Sequence, residues 1–187
     1  MNNKLKIGIC GYGNIGKGVE LCVSNSEDLE LVAVFTRRNP SELHTISNTQ
    51  VVSTNDLELW KDKIDVMILC GGSAKDLPKQ GPELAKLFNT IDSFDTHNDI
   101  PNYLSNMNDS AKNSNHTSII SVGWDPGLFS INRVYADSIL TKGNTYTFWG
   151  KGVSQGHSDA IRQIKGVKNA VQYTIPIESA INSIRNR

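Results

Sequence analysis

The sequence predicts an α/β fold built on a doubly wound parallel sheet, and three observations carry that prediction. Short apolar runs at 6–10, 29–35, 64–70, 90–94 and 117–121 alternate with stretches of helical periodicity. The first run leads directly into Gly11-x-Gly13-x-x-Gly16 and then into a helical pattern, the context that this glycine spacing requires. The second run closes a βαβ unit of about thirty residues.

In the glycine turn, Gly11 makes the tight strand-to-helix turn, Gly13 lets backbone approach a pyrophosphate, and Gly16 lets helix pack close on strand. The anion sits at the N-terminus of the helix that starts near Asn14, where unpaired N–H groups and the helix dipole favour it. Ile15, Val19, Leu21, Cys22 and Val23 recur at near-helical spacing and give that helix its apolar side, and the polar run 24–28 ends it. About twenty residues past the last glycine, a site for NAD usually carries Asp or Glu on the ribose 2′-hydroxyl. Here Thr36-Arg37-Arg38 stands instead, and two guanidinium groups with a hydroxyl suit a 2′-phosphate, so NADP is favoured. The alternative is a solvated basic turn.

Residues 39–50 are polar and irregular, 51–53 form a short strand, and 57–63 a short helix or turn. The strand at 64–70 ends in Gly71-Gly72-Ser73-Ala74, small residues that let a ligand lie against backbone. After a helix ending within 82–88, the strand at 90–94 delivers Asp95, Thr96 and His97. Residues 100–115 read as a helix with Tyr103, Leu104, Met107 and Ala111 along a buried stripe. The strand at 117–121 delivers Gly123-Trp124-Asp125-Pro126-Gly127. In a doubly wound sheet, ligands lie beyond the carboxyl ends of the strands, so these termini converge on one crevice. Further on, 128–140 is an apolar-rich helix and 145–149 a strand; 150–157 is a glycine-rich loop that either caps a ligand or is flexible. Ser158 caps a helix to 164, 170–175 is a strand, and 178–187 is helical.

Charge and cysteine content narrow the function. Lys+Arg and Asp+Glu both number 19 in 187 residues, so net charge gives no reason to expect nucleic acid or an anionic membrane as partner. No run of about eighteen apolar residues occurs and the first residues are polar, which points to a cytoplasmic protein working on a small molecule. Cys10, Cys22 and Cys70 have no metal-ligand spacing and read as buried thiols, and no metal site is expected. Asp95 and Asp125, at neighbouring strand ends beside a nicotinamide, can hold a substrate ammonium or accept its proton; the bland reading of each is a turn or cap residue. Trp124 and Trp149 either wall the pocket or fill core, and His97 and His157 are weaker candidates.

These motifs also carry a resemblance. Gly-Tyr-Gly-Asn-Ile-Gly at 11–16, Thr-Arg-Arg at 36–38, Cys-Gly-Gly-Ser-Ala at 70–74, Ser-Phe-Asp-Thr-His at 93–97, Gly-Trp-Asp-Pro-Gly-Leu-Phe-Ser-Ile-Asn-Arg-Val at 123–134, and Thr-Phe-Trp-Gly with Ser-Gln-Gly-His-Ser-Asp-Ala within 147–160 resemble the meso-diaminopimelate D-dehydrogenase family. The resemblance implies a Rossmann domain followed by a partial α+β dimerisation/substrate domain, with residues 1–122 forming the first and 123–187 the second. It implies NADP-dependent, reversible oxidative deamination at the D-centre of meso-2,6-diaminopimelate, giving L-2-amino-6-oxopimelate and ammonia.

By position, the family pattern puts the dinucleotide on Gly11, Tyr12, Gly13, Asn14, Ile15 and Gly16, and its 2′-phosphate on Thr36, Arg37 and Arg38. Further cofactor contacts fall on Cys70, Gly71, Gly72, Ser73, Ser93, Phe94, Asp95, Ser121, Val122, Gly123, Trp124 and Asp125. The reacting amino-acid centre falls near Asp95, Trp124 and Asp125, with Trp149, Gln155 and Gly156 on the carboxylate and Thr174 toward the distal L-centre. Family members carry serine where Thr36 stands and commonly methionine where Gly71 stands. They also continue past the position of Arg187, so the resemblance implies a C-terminally shortened relative; it further implies a homodimer, and the alternative function is that of a non-catalytic NADP-binding fragment or dinucleotide-sensing module.

Overall fold

The computed structural model describes residues 4–140, 142 and 152–185. Six strands, β1 (Leu5–Cys10), β2 (Leu29–Thr36), β3 (Val51–Ser53), β4 (Val66–Leu69), β5 (Asn89–Asp92) and β6 (Ser118–Ile119), form one sheet in the order β3-β2-β1-β4-β5-β6. Every neighbouring pair is parallel. This is the Rossmann order, and its reversal point lies between β1 and β4. Helices α1 (Asn14–Ser24), α2 (Leu77–Ala85) and α3 (Ile100–Asn113) supply the crossovers, with a 3₁₀ segment, Thr54–Trp60, between β3 and β4.

The central strands are apolar on both faces, as a sheet covered on both sides requires. Ile9 and Val34 are buried with Tyr12 and Leu43 in one cluster, against which Val19 of α1 packs. Cys10, Phe35, Met67 and Leu69 belong to the larger cluster, which takes in Leu84 of α2 and Tyr103 and Met107 of α3.

Several expectations need correction. The buried residues of α1 are Gly16, Glu20 and Val23, whereas Ile15, Leu21 and Cys22 are exposed. Glu20 is fully buried because its carboxylate accepts the Tyr12 hydroxyl, the Ser47 N–H at 2.7 Å and the Ser47 hydroxyl at 2.5 Å. A carboxylate with three donors can stay inside, and it leaves the apolar residues beside it facing water. Cys22 is therefore not a buried thiol. On α3, Tyr103, Met107 and Ala111 are buried at four-residue spacing, but Leu104 is half exposed, one step off that stripe.

The chain divides into two compact units, 1–132 and 133–187. The second contains β7 (Gly152–Ser154) paired antiparallel with β8 (Gln172–Thr174), and the helices α5 (Gln155–Arg162) and α6 (Glu178–Arg185); α4 (Leu128–Ile139) spans the division. The glycine-rich loop expected over 150–157 is, from Gly152, a strand followed by a helix. Pairing with β8 satisfies the backbone that the glycines left undecided. Ser158 lies inside α5 rather than at its cap: its buried hydroxyl accepts the Gln172 N–H at 2.9 Å and ties helix to strand. The strand expected over 145–149 lies outside the described residues.

Candidate active site

The turn between β1 and α1 is open where a ligand would enter. Gly11 has φ 95, in the left-handed region, and a Cβ there would come within 3.1 Å of the Cys70 carbonyl group. A Cβ on Gly13 would meet nothing within 4 Å, whereas one on Gly16 would run into the Gly11 carbonyl oxygen. The end of α1 at Gly13 carries no side-chain cap, so its first-turn N–H groups remain for an anion. Tyr12 contributes backbone only. Its ring is buried, its hydroxyl donates to Glu20 and accepts the Ile46 N–H at 3.1 Å, and burial and the Glu20 carboxylate push it above the ordinary phenol range.

The basic end of β2 adjoins this turn. Arg38 Nη2 donates to the Tyr12 carbonyl at 2.9 Å, and the Arg38 N–H donates to the Thr36 hydroxyl at 3.1 Å. Arg37 reaches across to Asp76, Nη1 to Oδ1 2.8 Å, with its side chain 70% exposed. Gly11, Tyr12, Gly13, Thr36, Arg37, Arg38, Cys70, Gly71 and Gly72 line one cavity of about 360 Å³ with Asp76 and Gln80, so the structure brings these predicted residues together. Asn14 and Ile15 follow directly on the turn.

Asp76 and Gln80 escaped the sequence reading. Asp76 accepts the Gly72 N–H at 3.0 Å, and Gln80 Nε2 donates to Cys10 Sγ at 3.2 Å. The signal for Asp76 was present: an aspartate directly ahead of Leu77-Pro78 marks a helix start. Gly71 makes room for both, since a Cβ there would lie 2.9 Å from Asp76 Cβ and 3.1 Å from Gln80 Oε1. Burial, with Cys70 nearby, pushes the Cys10 thiol up to about 12, and burial pushes Cys70 up to about 12. Both are neutral thiols at neutral pH, lining rather than reacting.

The ends of β4, β5 and β6 carry the remaining candidates of the first unit. The Asp95 N–H donates to Ser73 Oγ at 3.1 Å and joins the ends of β4 and β5. Phe94 is fully buried, its ring stacked on Tyr103 at 4.1 Å, so only its backbone faces the strand end beside Ser93. The Val122 N–H donates to the Asp92 carbonyl at 2.8 Å, and the Gly123 N–H to the Pro126 carbonyl at 3.0 Å, closing a tight turn that presents Trp124 and Asp125. Trp124 is 63% exposed, 5.7 Å from the Phe129 ring, and Asp95 and Asp125 are exposed. Gln155 and Gly156 open α5, Thr174 ends β8, and Trp149 lies outside the described residues; these belong to the second unit. His97 sits in a 3₁₀ turn and His157 is exposed on α5. Among the described residues no cluster of His, Cys, Asp or Glu could hold a metal ion, and no helix is long and apolar enough to cross a membrane.

Comparison with known proteins agrees with this layout. Residues 123–187 match the diaminopimelic acid dehydrogenase C-terminal domain, and residues 5–69 the dihydrodipicolinate reductase N-terminus. A meso-diaminopimelate D-dehydrogenase of Ureibacillus thermosphaericus is 62% identical over 184 residues, 98% of this chain and 56% of that protein. One from Corynebacterium glutamicum is 44% identical over 181 residues, 97% of this chain and 55% of that protein. The structure of the C. glutamicum DAP dehydrogenase in complex with DAP superposes with a TM-score of 0.84 over 100% of this chain and 57% of the other, at 44% identity. An engineered D-amino acid dehydrogenase bound to NADP+ gives a TM-score of 0.83 at 43% identity, over 98% of this chain and 56% of the other. The chain spans about half the length of the curated relatives it matches.

Proposed function

We propose that the chain is a member of the meso-diaminopimelate D-dehydrogenase family, to which its relatives belong, and that it takes part in the NADP-dependent oxidative deamination of meso-2,6-diaminopimelate at its D-centre. The observation that carries the reading is the joining, in one cavity, of an uncapped glycine turn to two arginines at the end of β2. Pyrophosphate fits the turn at Gly11 to Gly16, because the first-turn N–H groups are uncapped and the space above Gly13 is open. The 2′-phosphate fits Arg37 and Arg38, with Thr36 fixing the backbone between them. Cys70, Gly71, Gly72 and Ser73, with the strand-end backbone at 93–94 and 121–123, would flank the nicotinamide end.

Bound NADP supplies the hydride acceptor for the carbon that bears the D-amino group. Asp95 and Asp125 hold that ammonium and take its proton as the C–N bond becomes an imine, which water then hydrolyses to the oxo acid and ammonia. Trp124 walls the reacting centre, and the family pattern alone assigns the carboxylate to Trp149, Gln155 and Gly156 and the L-centre to Thr174. In this reading 1–122 is the nucleotide domain and 123–187 part of the substrate and dimerisation domain, supported by the match of 123–187 to the family's C-terminal domain. A cytoplasmic location goes with it, as does the homodimer that the family resemblance implies, and the exposed Leu128, Ile131, Tyr135 and Ile139 on α4 support the homodimer. The test is calorimetry with NADP, followed by absorbance of the reduced cofactor when meso-2,6-diaminopimelate is added. Binding with turnover specific to the meso isomer is expected. Absence of NADP binding overturns the proposal, and binding without turnover makes the chain a nucleotide-binding module.

A further inference from the structure

Asp92, the last residue of β5, is 2% exposed, and no ion pair among the described residues includes it. Hydrogen-bond donors alone hold it. Its Oδ1 accepts the Phe94 N–H at 2.9 Å and the Ser121 N–H at 3.1 Å, and its Oδ2 accepts the Tyr103 hydroxyl at 2.7 Å. Its own carbonyl accepts the Val122 N–H at 2.8 Å.

Those donors belong to the two segments that lead into the proposed substrate-facing pair. Phe94 immediately precedes Asp95, and Ser121 and Val122 lead into Gly123, Trp124 and Asp125. Ser121 is itself costly to hold. It lies at φ 60, in the left-handed region, and its Oγ is buried with no partner among the described residues. Such a conformation persists only where its surroundings fix it, and here Asp92 holds it from both sides of the residue, its Oδ1 on the Ser121 N–H and its carbonyl on the Val122 N–H. Tyr103 completes the arrangement from α3. Its ring stacks on Phe94, burial and Asp92 keep its hydroxyl protonated, and α2 approaches so closely at Gly81 that a Cβ there would run into the phenol oxygen.

We infer that Asp92 is the positioning residue of the site: its buried carboxylate clamps the two backbones that carry Asp95 and Asp125 and so sets their spacing. This rests on the reading of that pair as the groups that meet substrate. The clamp contributes no residue to the cavity formed by the glycine turn and the arginines and meets the cofactor site only through the backbone of 93–94 and 121–123, so its loss falls on the aspartate half and the nicotinamide end and spares the phosphate contacts.

Asp92→Ala is expected to raise amide hydrogen exchange in peptides covering 93–95 and 121–123 by about tenfold, while the NADP dissociation constant, set mainly by the turn and the arginines and loosened only at the backbone beside the nicotinamide, rises no more than about threefold. In turnover, kcat/KM for meso-2,6-diaminopimelate falls by at least about tenfold and the KM for NADP rises no more than about threefold. Asp92→Asn, which keeps an acceptor for both N–H groups, restores protection and kcat/KM to within about threefold. Should the alanine variant not fold, Tyr103→Phe carries the test; it removes one donor, keeps the ring stack, and is expected to raise exchange in the same peptides about threefold. Unchanged exchange in the folded variant, or NADP binding that weakens in step with exchange, overturns the inference. The exchange readout needs no turnover, so a parent chain that binds NADP without oxidising the diamine counts against the functional reading alone.

Discussion

Glu20→Gln tests the least expected interior residue of this chain. The parent carboxylate accepts the Tyr12 hydroxyl and both the N–H and the hydroxyl of Ser47, and it thereby fastens the segment after β2 onto α1. Glutamine keeps one oxygen for Ser47 as a neutral acceptor, but its amide nitrogen faces the Tyr12 hydroxyl, whose oxygen already accepts the Ile46 N–H at 3.1 Å. Hydrogen bonds to a charged partner are worth about 1.5–3 kcal/mol and neutral ones about 1 kcal/mol. Weakening two bonds and disrupting the third therefore costs about 2–3 kcal/mol at pH 7.

The pH dependence fixes the sign. Burial raises the Glu20 pKa, but the Ser47 hydroxyl, the Tyr12 hydroxyl and the Ser47 and Ile46 N–H groups together lower it further, leaving it below the ordinary carboxylate value. A folded-state pKa below the unfolded one, about 4.3, means stability that is fully present above the unfolded value and lost as pH falls through the folded one. Urea unfolding followed by far-UV circular dichroism should show the full gap between parent and variant from about pH 7 to about pH 5.5 and a narrowing gap below about pH 4. A gap under about 0.5 kcal/mol at pH 7, or one that widens on acidification, refutes the reasoning.

Two further perturbations probe the cavity. Arg37→Ala should weaken NADP binding about tenfold or more and leave NAD within about twofold, because the ion pair of Arg37 is with Asp76 on the far side of the cavity and not with the glycine turn. Arg38→Ala should weaken both cofactors, since its guanidinium also holds the Tyr12 carbonyl of the turn; calorimetry with each cofactor checks this, and equal losses from both variants would contradict the 2′-phosphate assignment. Native alkylation with iodoacetamide at about pH 8 should label Cys22 alone, because Cys10 and Cys70 are pushed up to about 12 and Cys22 is exposed. Mass spectrometry finding label on Cys10 first would refute that reading.

What was legible in the sequence was whatever is encoded locally. The apolar runs became the parallel strands, and the glycine turn and the arginines came together in one cavity because they follow adjacent strands β1 and β2. The residues that escaped are polar groups whose meaning lies in distant partners. Glu20 meets Ser47 across 27 positions and Asp92 meets Ser121 across 29. Hydrophobic periodicity assigns both to the surface, since a pattern of types cannot register that a buried carboxylate has its donors supplied from elsewhere. Leu21 and Cys22 were misjudged for the same reason, as Glu20 occupies the inward position that their apolarity claimed.

The division runs through the site itself. Its glycine and arginine half is built from two short motifs, 11–16 and 36–38, at the ends of adjacent strands, and the turn is locally constrained: a Cβ at Gly16 meets the Gly11 carbonyl whatever the rest of the chain does. Its aspartate half depends on a hydrogen-bond network that joins β5, α3 and the segment after β6, so Asp95 and Asp125 can stand unchanged in sequence while their geometry is lost. A relative that keeps Gly11 to Gly16 and both aspartates but lacks the Asp92 clamp should therefore retain the cofactor cavity and lose the fixed spacing of its carboxylates.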